Sequence, residues 1–291
     1  MIRIGVFGNS FQSDKETHIR PIFDMLERID AQIHIDAEYH KYLCDTFDFK
    51  MPTVICFSGD PTGVDIALSI GGDGTFLRTA ERVGSQGIPI LGINTGRLGF
   101  LADVSVADVD NALTDVYKNH YRIEERTLLA LEIIGAKIPY KQFALNEIAI
   151  LKRDNSSMIR LEVDINDRPL NVYEADGLIV ATPTGSTAYS LSVGGPIVDP
   201  EADNFLISPV APHSLTARPL IIKDDNELHI HVKSRTDTYQ VAIDGTSYIL
   251  HAGQSIRIQK APHKIRVIKR REQTFYDTLR KKLLWGADNR I

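Results

Sequence analysis

Three glycines surround one carboxylate in the stretch Gly71-Gly72-Asp73-Gly74. An apolar segment precedes this turn, and apolar residues follow it at helical spacing. Because glycine lacks a Cβ, the backbone N–H groups of such a turn can approach an anion closely. Asp73 would then lie among these N–H groups at the carboxyl end of a strand, where open α/β sheets bind ligands. The pattern predicts proton abstraction beside phosphoryl transfer. A strand-to-helix turn that Asp73 merely caps is the structural alternative.

The glycine turn matches neither common nucleotide-binding signature. Thr75-Phe76 stands where a P-loop has Lys-Ser or Lys-Thr, and Leu77 stands where the dinucleotide fingerprint has a small residue. A second glycine-rich turn, from Gly92 to Phe100, follows the next predicted strand, so both turns can line one crevice. Arg78 and Arg97 could reach a phosphate from these turns. Surface ion pairs are the alternative for both arginines.

Asn146 and Glu147 interrupt an apolar segment that reads as a strand, Ala144 to Leu151. Adjacent residues of a strand point to opposite faces, so the pair would present one polar group on each side. Both side chains can form hydrogen bonds with ribose hydroxyls or base edges. A polar strand end would look similar.

A longer motif runs from Asp176 to Pro196, where an apolar strand opens into a loop rich in hydroxyls and glycines. Such a loop offers many short donors and acceptors without net charge, which suits a nucleoside better than a bare phosphate. A flexible Ser/Thr linker is the alternative, but Pro183 and Tyr189 argue against it. His229 and His231 share one strand face without a third ligand, so no metal site is predicted.

Two kinds of pattern divide the chain. Residues 1–122 alternate strand-like and helix-like segments, which predicts an α/β domain with a Rossmann-like parallel sheet covered on both faces. Residues 123–267 read as short strands with hairpin turns at Asn166-Asp167 and Asp244-Gly245, which predicts a mostly antiparallel β-sandwich. Residues 268–291 return to helical periodicity and are expected to pack back on the first domain.

Composition narrows the classes of function. The 291 residues carry a net charge of −5, which argues against a nucleic-acid-binding surface. A basic cluster at Lys269-Arg270-Arg271 and Arg280-Lys281-Lys282 is predicted to be a solvated helix face. Cys44 and Cys56 are too few for a disulfide framework and are expected to be buried or half-buried. The chain opens on a core strand and has no apolar run that could span a bilayer, so we expect a cytoplasmic protein without membrane partners.

These motifs, in this order, resemble the NAD kinase family. The resemblance covers nearly the whole chain. The glycine-aspartate turn alone is not specific, because lipid kinases and phosphofructokinases share it. The Asn-Glu pair and the hydroxyl-rich loop make the resemblance specific. It implies transfer of the γ-phosphoryl group of ATP to the 2′-hydroxyl of the adenosine ribose of NAD. It also implies Mg²⁺ or another divalent cation with ATP, nucleotides as small-molecule partners, and a homo-oligomer, either a dimer or a tetramer.

The resemblance assigns roles by position. Asp73 is implied as the general base, and Gly71, Gly72 and Gly74 as a site for the phosphates of donor and substrate. Asn146 and Glu147 match the pair that holds NAD. The adenine and nicotinamide-ribose pocket is matched by Asp176, Thr187, Ala188, Tyr189, Ser190, Leu191 and Ser192. Further site positions are Arg78, Glu174, Thr184 and Ala211.

Two departures from the family pattern stand out. Glu174 occupies a position where many members have a basic residue, and Asp244-Gly245-Thr246 replaces the usual Asp-Gly-Gln. Two other functions remain open on these motifs: a related kinase acting on a lipid or sugar hydroxyl, and a non-catalytic NAD-binding sensor.

Overall fold

The computed structural model describes residues 1–9, 16–47, 51–96, 99–135, 140–153 and 157–284. The elements of the first part of the chain are β1 (Arg3–Gly8), α1 (Glu16–Arg28), β2 (Gln32–Asp36), α2 (Ala37–Thr46), β3 (Val54–Phe57), β4 (Ile66–Gly71), α3 (Asp73–Val83), β5 (Ile90–Asn94), β6 (Val104–Ser105), α4 (Val109–Tyr117) and β7 (Tyr121–Ile134).

The remaining elements are β8 (Phe143–Ala144), β9 (Glu147–Lys152), β10 (Ile159–Ile165), β11 (Arg168–Ala175), β12 (Gly177–Ala181), α5 (Tyr189–Ser192), β13 (Asn204–Val210), β14 (Leu220–Lys223), β15 (Leu228–Lys233), β16 (Thr238–Ile243), β17 (Thr246–His251), β18 (Ser255–Arg270) and α6 (Phe275–Leu283). The chain divides into two compact units. Unit 1 contains residues 1–125 and 265–291, and unit 2 contains residues 126–264.

Unit 1 is built on a parallel sheet. The strands lie in the order β5-β4-β1-β2-β3, all parallel, with β6 and the end of β18 also parallel to β5. Strand β4 is buried at all six residues, because a central strand has helices on both faces. Helix α1 packs on the core through an apolar stripe of Ile19, Ile22, Phe23 and Leu26. The strand order reverses between β1 and β4, which places the ligand crevice of such a sheet at their carboxyl ends.

Unit 2 is built from antiparallel strands. Six of them form a sheet in the order β14-β13-β12-β9-β16-β17, and β11, β10, β15 and the start of β18 pair antiparallel in a second layer. Residues of both layers share one hydrophobic core, among them Leu161 of β10 and Leu178 of β12. The two hairpin turns have left-handed backbone, with φ of 48° and 61° at Asn166-Asp167 and 45° and 82° at Asp244-Gly245.

The predicted fold class, an α/β domain followed by an antiparallel β-sandwich, is confirmed. The sequence patterns missed α2 and β3, and the expectation for the cysteines was wrong, since Cys44 and Cys56 are both exposed and unpaired. Strand β3 is an edge strand of four residues, all apolar, and a run this short does not distinguish a strand from a helix by periodicity. None of the described helices is long and apolar enough to cross a membrane.

Candidate active site

Asp73 is the first residue of α3, directly after the buried strand β4. Gly72 is the N-cap of this helix and Asp73 is its first residue, and no side chain among the described residues caps the helix, so the alternative in which Asp73 caps the turn is wrong. Gly71 packs tightly: a Cβ there would lie 2.3 Å from Thr75 Oγ1. Gly72 and Gly74 are open, because a Cβ at either would meet no atom of the described residues within 4 Å. The turn therefore leaves room in front of the first residues of α3.

The N–H groups that bind the Asp73 carboxylate come from another segment than expected. Asp73 Oδ2 accepts the N–H of Phe100 at 2.9 Å, and Oδ1 accepts those of Leu101 and Ala102, each at 3.0 Å. These donors lie in the loop after β5 and not in the glycine turn of Asp73 itself. A Cβ at Gly99 would lie only 1.9 Å from Oδ1, so glycine is required there for the loop to approach. Three N–H donors fix the orientation of the carboxylate.

The basic cluster from Lys269 to Lys282 is not the solvated helix face that was predicted, since Lys269 and Arg270 end strand β18. Lys269 Nζ lies 2.6 Å from Asp103 Oδ2, and both side chains are only 6 % exposed. Lys282 Nζ lies 3.5 Å from Asp73 Oδ2. Lys281 is exposed, as predicted. Periodicity missed the first two contacts because they depend on residues more than 160 positions away in the chain.

A cavity of about 350 Å³ opens at the carboxyl ends of β1 and β2, beside helix α3. Its lining includes Gly8, Thr75, Arg78 and Arg82. The Arg78 side chain is exposed and places Nη2 3.4 Å from Thr75 Oγ1, which leaves it able to turn toward an anion. Arg97, the other arginine singled out from the sequence, lies outside the described residues.

In unit 2, Asn146 and Glu147 do not sit side by side in one strand. The predicted strand is broken: Asn146 lies in the bend between β8 and β9, and Glu147 begins β9. The cause is Asp244, whose carboxylate accepts the N–H groups of Leu145, Asn146 and Glu147 at 2.7, 2.8 and 3.1 Å. A half-buried carboxylate that binds three successive N–H groups replaces the strand hydrogen bonds and fixes the bend.

Burial, and after it the charge of Asp244, raises the pKa of the Glu147 carboxyl to about 7. A backbone N–H of Tyr189 donates to Glu147 and partly offsets this rise. Burial also raises the pKa of the Asp244 carboxyl, and the three N–H groups that donate to it partly offset this rise. Glu147 Oε2 and Thr184 Oγ1 are both buried and have no hydrogen-bond partner among the described residues. Such oxygens point to a ligand that donates hydrogen bonds.

The hydroxyl-rich segment is helical and not an open loop. Thr184–Thr187 form a 3₁₀ turn, and Tyr189–Ser192 form the single turn α5. Most of its hydroxyls bind the protein: Ser186 Oγ accepts the N–H of Val198 at 3.1 Å, and the hydroxyls of Ser190 and Ser208 lie 3.0 Å apart. This segment contacts the Asn146 bend, since a Cβ at Gly185 would lie 2.1 Å from the Asn146 carbonyl oxygen.

Unit 2 thus brings Asn146 and Glu147 together with the segment from Thr184 to Ser190, but it holds the other predicted residues apart. Asp176 is next to Lys152, at 2.7 Å, and its N–H donates to Val210, beside Ala211. Glu174 pairs with Arg160 at 3.3 Å. These contacts lie at the opposite end of β12 from Glu147, which pairs with Ala181. Five residues of strand separate the two clusters by roughly 16 Å.

Sequence reasoning assigned no role in a site to four polar residues that the structure places near these groups, namely Asp103, Asp244, Lys269 and Lys282. The sequence identified Asp244 as part of a hairpin turn, but it did not predict that the Asp244 carboxylate binds three backbone N–H groups. Among the described residues, no group of three or more His, Cys, Asp or Glu could hold a metal ion. A divalent cation that enters with a nucleotide fits this chain better than a cation in an all-protein cage, since Mg²⁺ is commonly held by one carboxylate and substrate phosphates.

Two family models match the chain: the ATP-NAD kinase N-terminal domain over residues 31–121 and the ATP-NAD kinase C-terminal domain over residues 145–270. The NAD kinase of Bacteroides fragilis is 48 % identical over 290 residues, covering 100 % of both chains. The NAD kinase of Porphyromonas gingivalis is 42 % identical and covers 99 % of both.

Two solved structures resemble the fold. Yeast NADH kinase complexed with NADH has a TM-score of 0.88 at 23 % identity, covering 100 % of this chain and 90 % of that one. An NAD kinase from Archaeoglobus fulgidus in complex with ATP has a TM-score of 0.75 at 25 % identity, covering 97 % and 99 %.

Proposed function

The chain belongs to the ATP-NAD kinase family, and from this premise we propose that it transfers the γ-phosphoryl group of ATP to the 2′-hydroxyl of the adenosine ribose of NAD. The products are NADP and ADP. In this reaction the ribose oxygen forms a bond to the γ-phosphorus while the bond from phosphorus to the ADP oxygen breaks. The hydroxyl proton passes to Asp73.

The single observation that carries this proposal is the environment of Asp73. A carboxylate oxygen has two lone pairs. Oδ1 accepts two N–H groups and is saturated, whereas Oδ2 accepts one and keeps a lone pair for a substrate hydroxyl. The side chain is 30 % exposed, so a substrate can reach it. A base that is already oriented contributes both proton transfer and positioning.

Unit 2 supplies the proposed NAD-binding groups. Glu147 Oε2 and Thr184 Oγ1 are buried acceptors with no hydrogen-bond partner in the described part of the chain, which suits the hydroxyls and amines of a nucleoside. The wall around these two acceptors in the proposed NAD site is formed by Asn146, Tyr189 and the residues that follow as far as Ser192. The second cluster, with Glu174, Asp176 and Ala211, is the proposed contact for a different part of the dinucleotide, since β12 separates the two clusters.

Unit 1 supplies the proposed phosphate-binding groups. The open glycines Gly72 and Gly74 at the start of α3 allow backbone N–H groups to approach phosphate oxygens, and the positive end of the helix favours an anion. Arg78 borders the adjoining cavity and could clamp a phosphate. Mg²⁺ or another divalent cation accompanies ATP as its phosphate complex and neutralises charge on the transferred group.

We further propose that the protein acts in the cytoplasm as a homo-oligomer, a dimer or a tetramer. The two unpaired cysteines support a reducing compartment. Light scattering coupled to gel filtration tests the oligomeric state directly, and a monomer at micromolar concentration would contradict it.

The test of the reaction is an assay of the purified protein with ATP, Mg²⁺ and NAD, scored for NADP. NADP formation that requires all three supports the proposal. Tight NAD binding without NADP would favour a non-catalytic sensor, and phosphorylation of a lipid or sugar in place of NAD would favour a related kinase.

A further inference from the structure

Helix α6 places a lysine beside the candidate base. Lys282 Nζ lies 3.5 Å from Asp73 Oδ2, the oxygen that keeps an open lone pair, and 4.4 Å from the centre of the Phe100 ring. Phe100 is also the residue whose N–H donates to Oδ2. The separation of 3.5 Å is within ion-pair range but longer than a good hydrogen bond, so the lysine does not occupy the lone pair.

The fold determines this placement. Thr274 and Asp277 form a capping box that starts α6, and Thr278 and Leu279 bury one face of the helix. Phe275 lies on that same face and contacts Phe100, with ring centres 6.3 Å apart. Lys282 is seven residues after Phe275, so two helical turns return it to this face.

A buried ion pair links the segment that precedes α6 with the loop whose N–H groups bind Asp73. Asp103, one residue after that loop's last donor, pairs with Lys269 of β18, and Gln273 Nε2 donates to the Asp103 carbonyl at 3.4 Å. The loop, the base and α6 therefore belong to one connected set of contacts within unit 1. We would not expect such a set of supporting contacts around a surface lysine that lies near Asp73 only by chance.

We propose that Lys282 is a phosphate-binding residue of the phosphoryl-transfer site, where its ammonium contacts the transferred group next to Asp73. This rests on the proposed kinase function. A phosphoryl group that approaches Asp73 brings negative charge toward a carboxylate, and a cation beside Oδ2 offsets the repulsion. The ammonium has three donors, so it can contact a phosphate oxygen and Asp73 together.

The test compares Lys282→Met, which removes the charge at similar length, with Lys282→Arg, which keeps it. Lys281→Met is the matched control, since Lys281 is exposed on the same helix and has no ion pair among the described residues. Binding of ATP and of NAD is measured by calorimetry, and kcat and KM are measured for NADP formation.

The expected result is a fall in kcat of at least about tenfold in Lys282→Met, by analogy with other charge-stabilising donors. ATP binding weakens while NAD binding stays within twofold. Lys282→Arg restores part of the kcat, and Lys281→Met matches the unchanged protein. Equal kcat and ATP affinity in Lys282→Met and Lys281→Met would overturn the proposal. Equal losses in Lys282→Met and Lys282→Arg, with NAD binding also reduced, would likewise overturn it by indicating a structural role.

The ATP-binding measurement separates this proposal from the proposed function. If the unchanged protein forms no NADP, the kinase function fails on that observation alone. Weakened ATP binding in Lys282→Met would still identify Lys282 as a phosphate-binding residue, and undiminished ATP binding would reject it.

Discussion

The carboxylate of Asp244 accepts the backbone N–H of Glu147 at 3.1 Å, and the two acidic residues are both half-buried. Burial, and after it the charge of Asp244, raises the pKa of the Glu147 carboxyl from 4.5 to about 7. Asp244 thus builds the bend that presents Glu147 and adds to the rise in the pKa of that side chain that burial causes.

The first prediction concerns stability against pH. Because the pKa of Glu147 is raised on folding, its contribution is fully present below about pH 4.5 and is lost as the pH rises through about 7. The shift corresponds to roughly 3 kcal/mol. Glu147→Gln should flatten the decline in melting temperature across this window, as followed by circular dichroism. The exposed Glu201→Gln is the control. An unchanged slope in Glu147→Gln would contradict the burial of this carboxyl.

The second prediction concerns Asp244 itself. Asp244→Asn leaves one acceptor oxygen where a carboxylate now binds three N–H groups, so the bend at residues 145–147 loses its support. An unsatisfied buried donor costs about 1–3 kcal/mol, so the Kd for NAD should rise roughly tenfold to a hundredfold. Calorimetric titration measures this. Asp237→Asn, at another left-handed turn with an 80 % exposed side chain, should bind NAD normally.

The third prediction concerns the approach of the loop to Asp73. In Gly99→Ala the new Cβ would meet Asp73 Oδ1 at 1.9 Å, so either the loop or the carboxylate must move. We expect kcat for NADP formation to fall by at least about a hundredfold with the fold retained, because misplacement of a catalytic group by about 1 Å has effects of that size. Gly253→Ala adds a methyl group in open space and should leave kcat unchanged. Normal kcat in Gly99→Ala would show that this contact does not orient the base.

The fourth prediction concerns the buried pair of Asp103 and Lys269. Lys269→Met leaves the Asp103 carboxylate buried without its cation, which should lower the free energy of unfolding by about 3–5 kcal/mol. The double variant Asp103→Leu with Lys269→Met should recover most of this loss, since it removes both charges. Urea unfolding followed by circular dichroism compares them. A double variant no more stable than the single one would show that the lysine packs rather than pairs.

Local patterns predicted the fold class well, because it depends on periodicity. The stripe from Ile19 to Leu26 marks an amphipathic helix, and the Asp244-Gly245 turn marks a hairpin whatever the tertiary contacts are. The strand through Asn146 was predicted wrongly, because a carboxylate almost a hundred residues away breaks it.

The site was predictable only in its residue types. Asp73 stands out in its glycine turn, but the N–H groups that bind it come from residues 100–102. Lys282 reads as one of several basic residues on a helix, and only the folded chain brings it to Asp73. Sequence spacing does not encode such long-range contacts.

The central claim is that Asp73 takes the proton from the ribose hydroxyl, and Asp73→Asn tests it most directly. The substitution keeps the shape of the side chain and removes its basicity. Turnover to NADP should fall by about 10²- to 10⁴-fold, the range of general base catalysis, while the Kd for NAD stays within twofold. Turnover close to that of the unchanged protein, with NAD bound normally, would contradict the account.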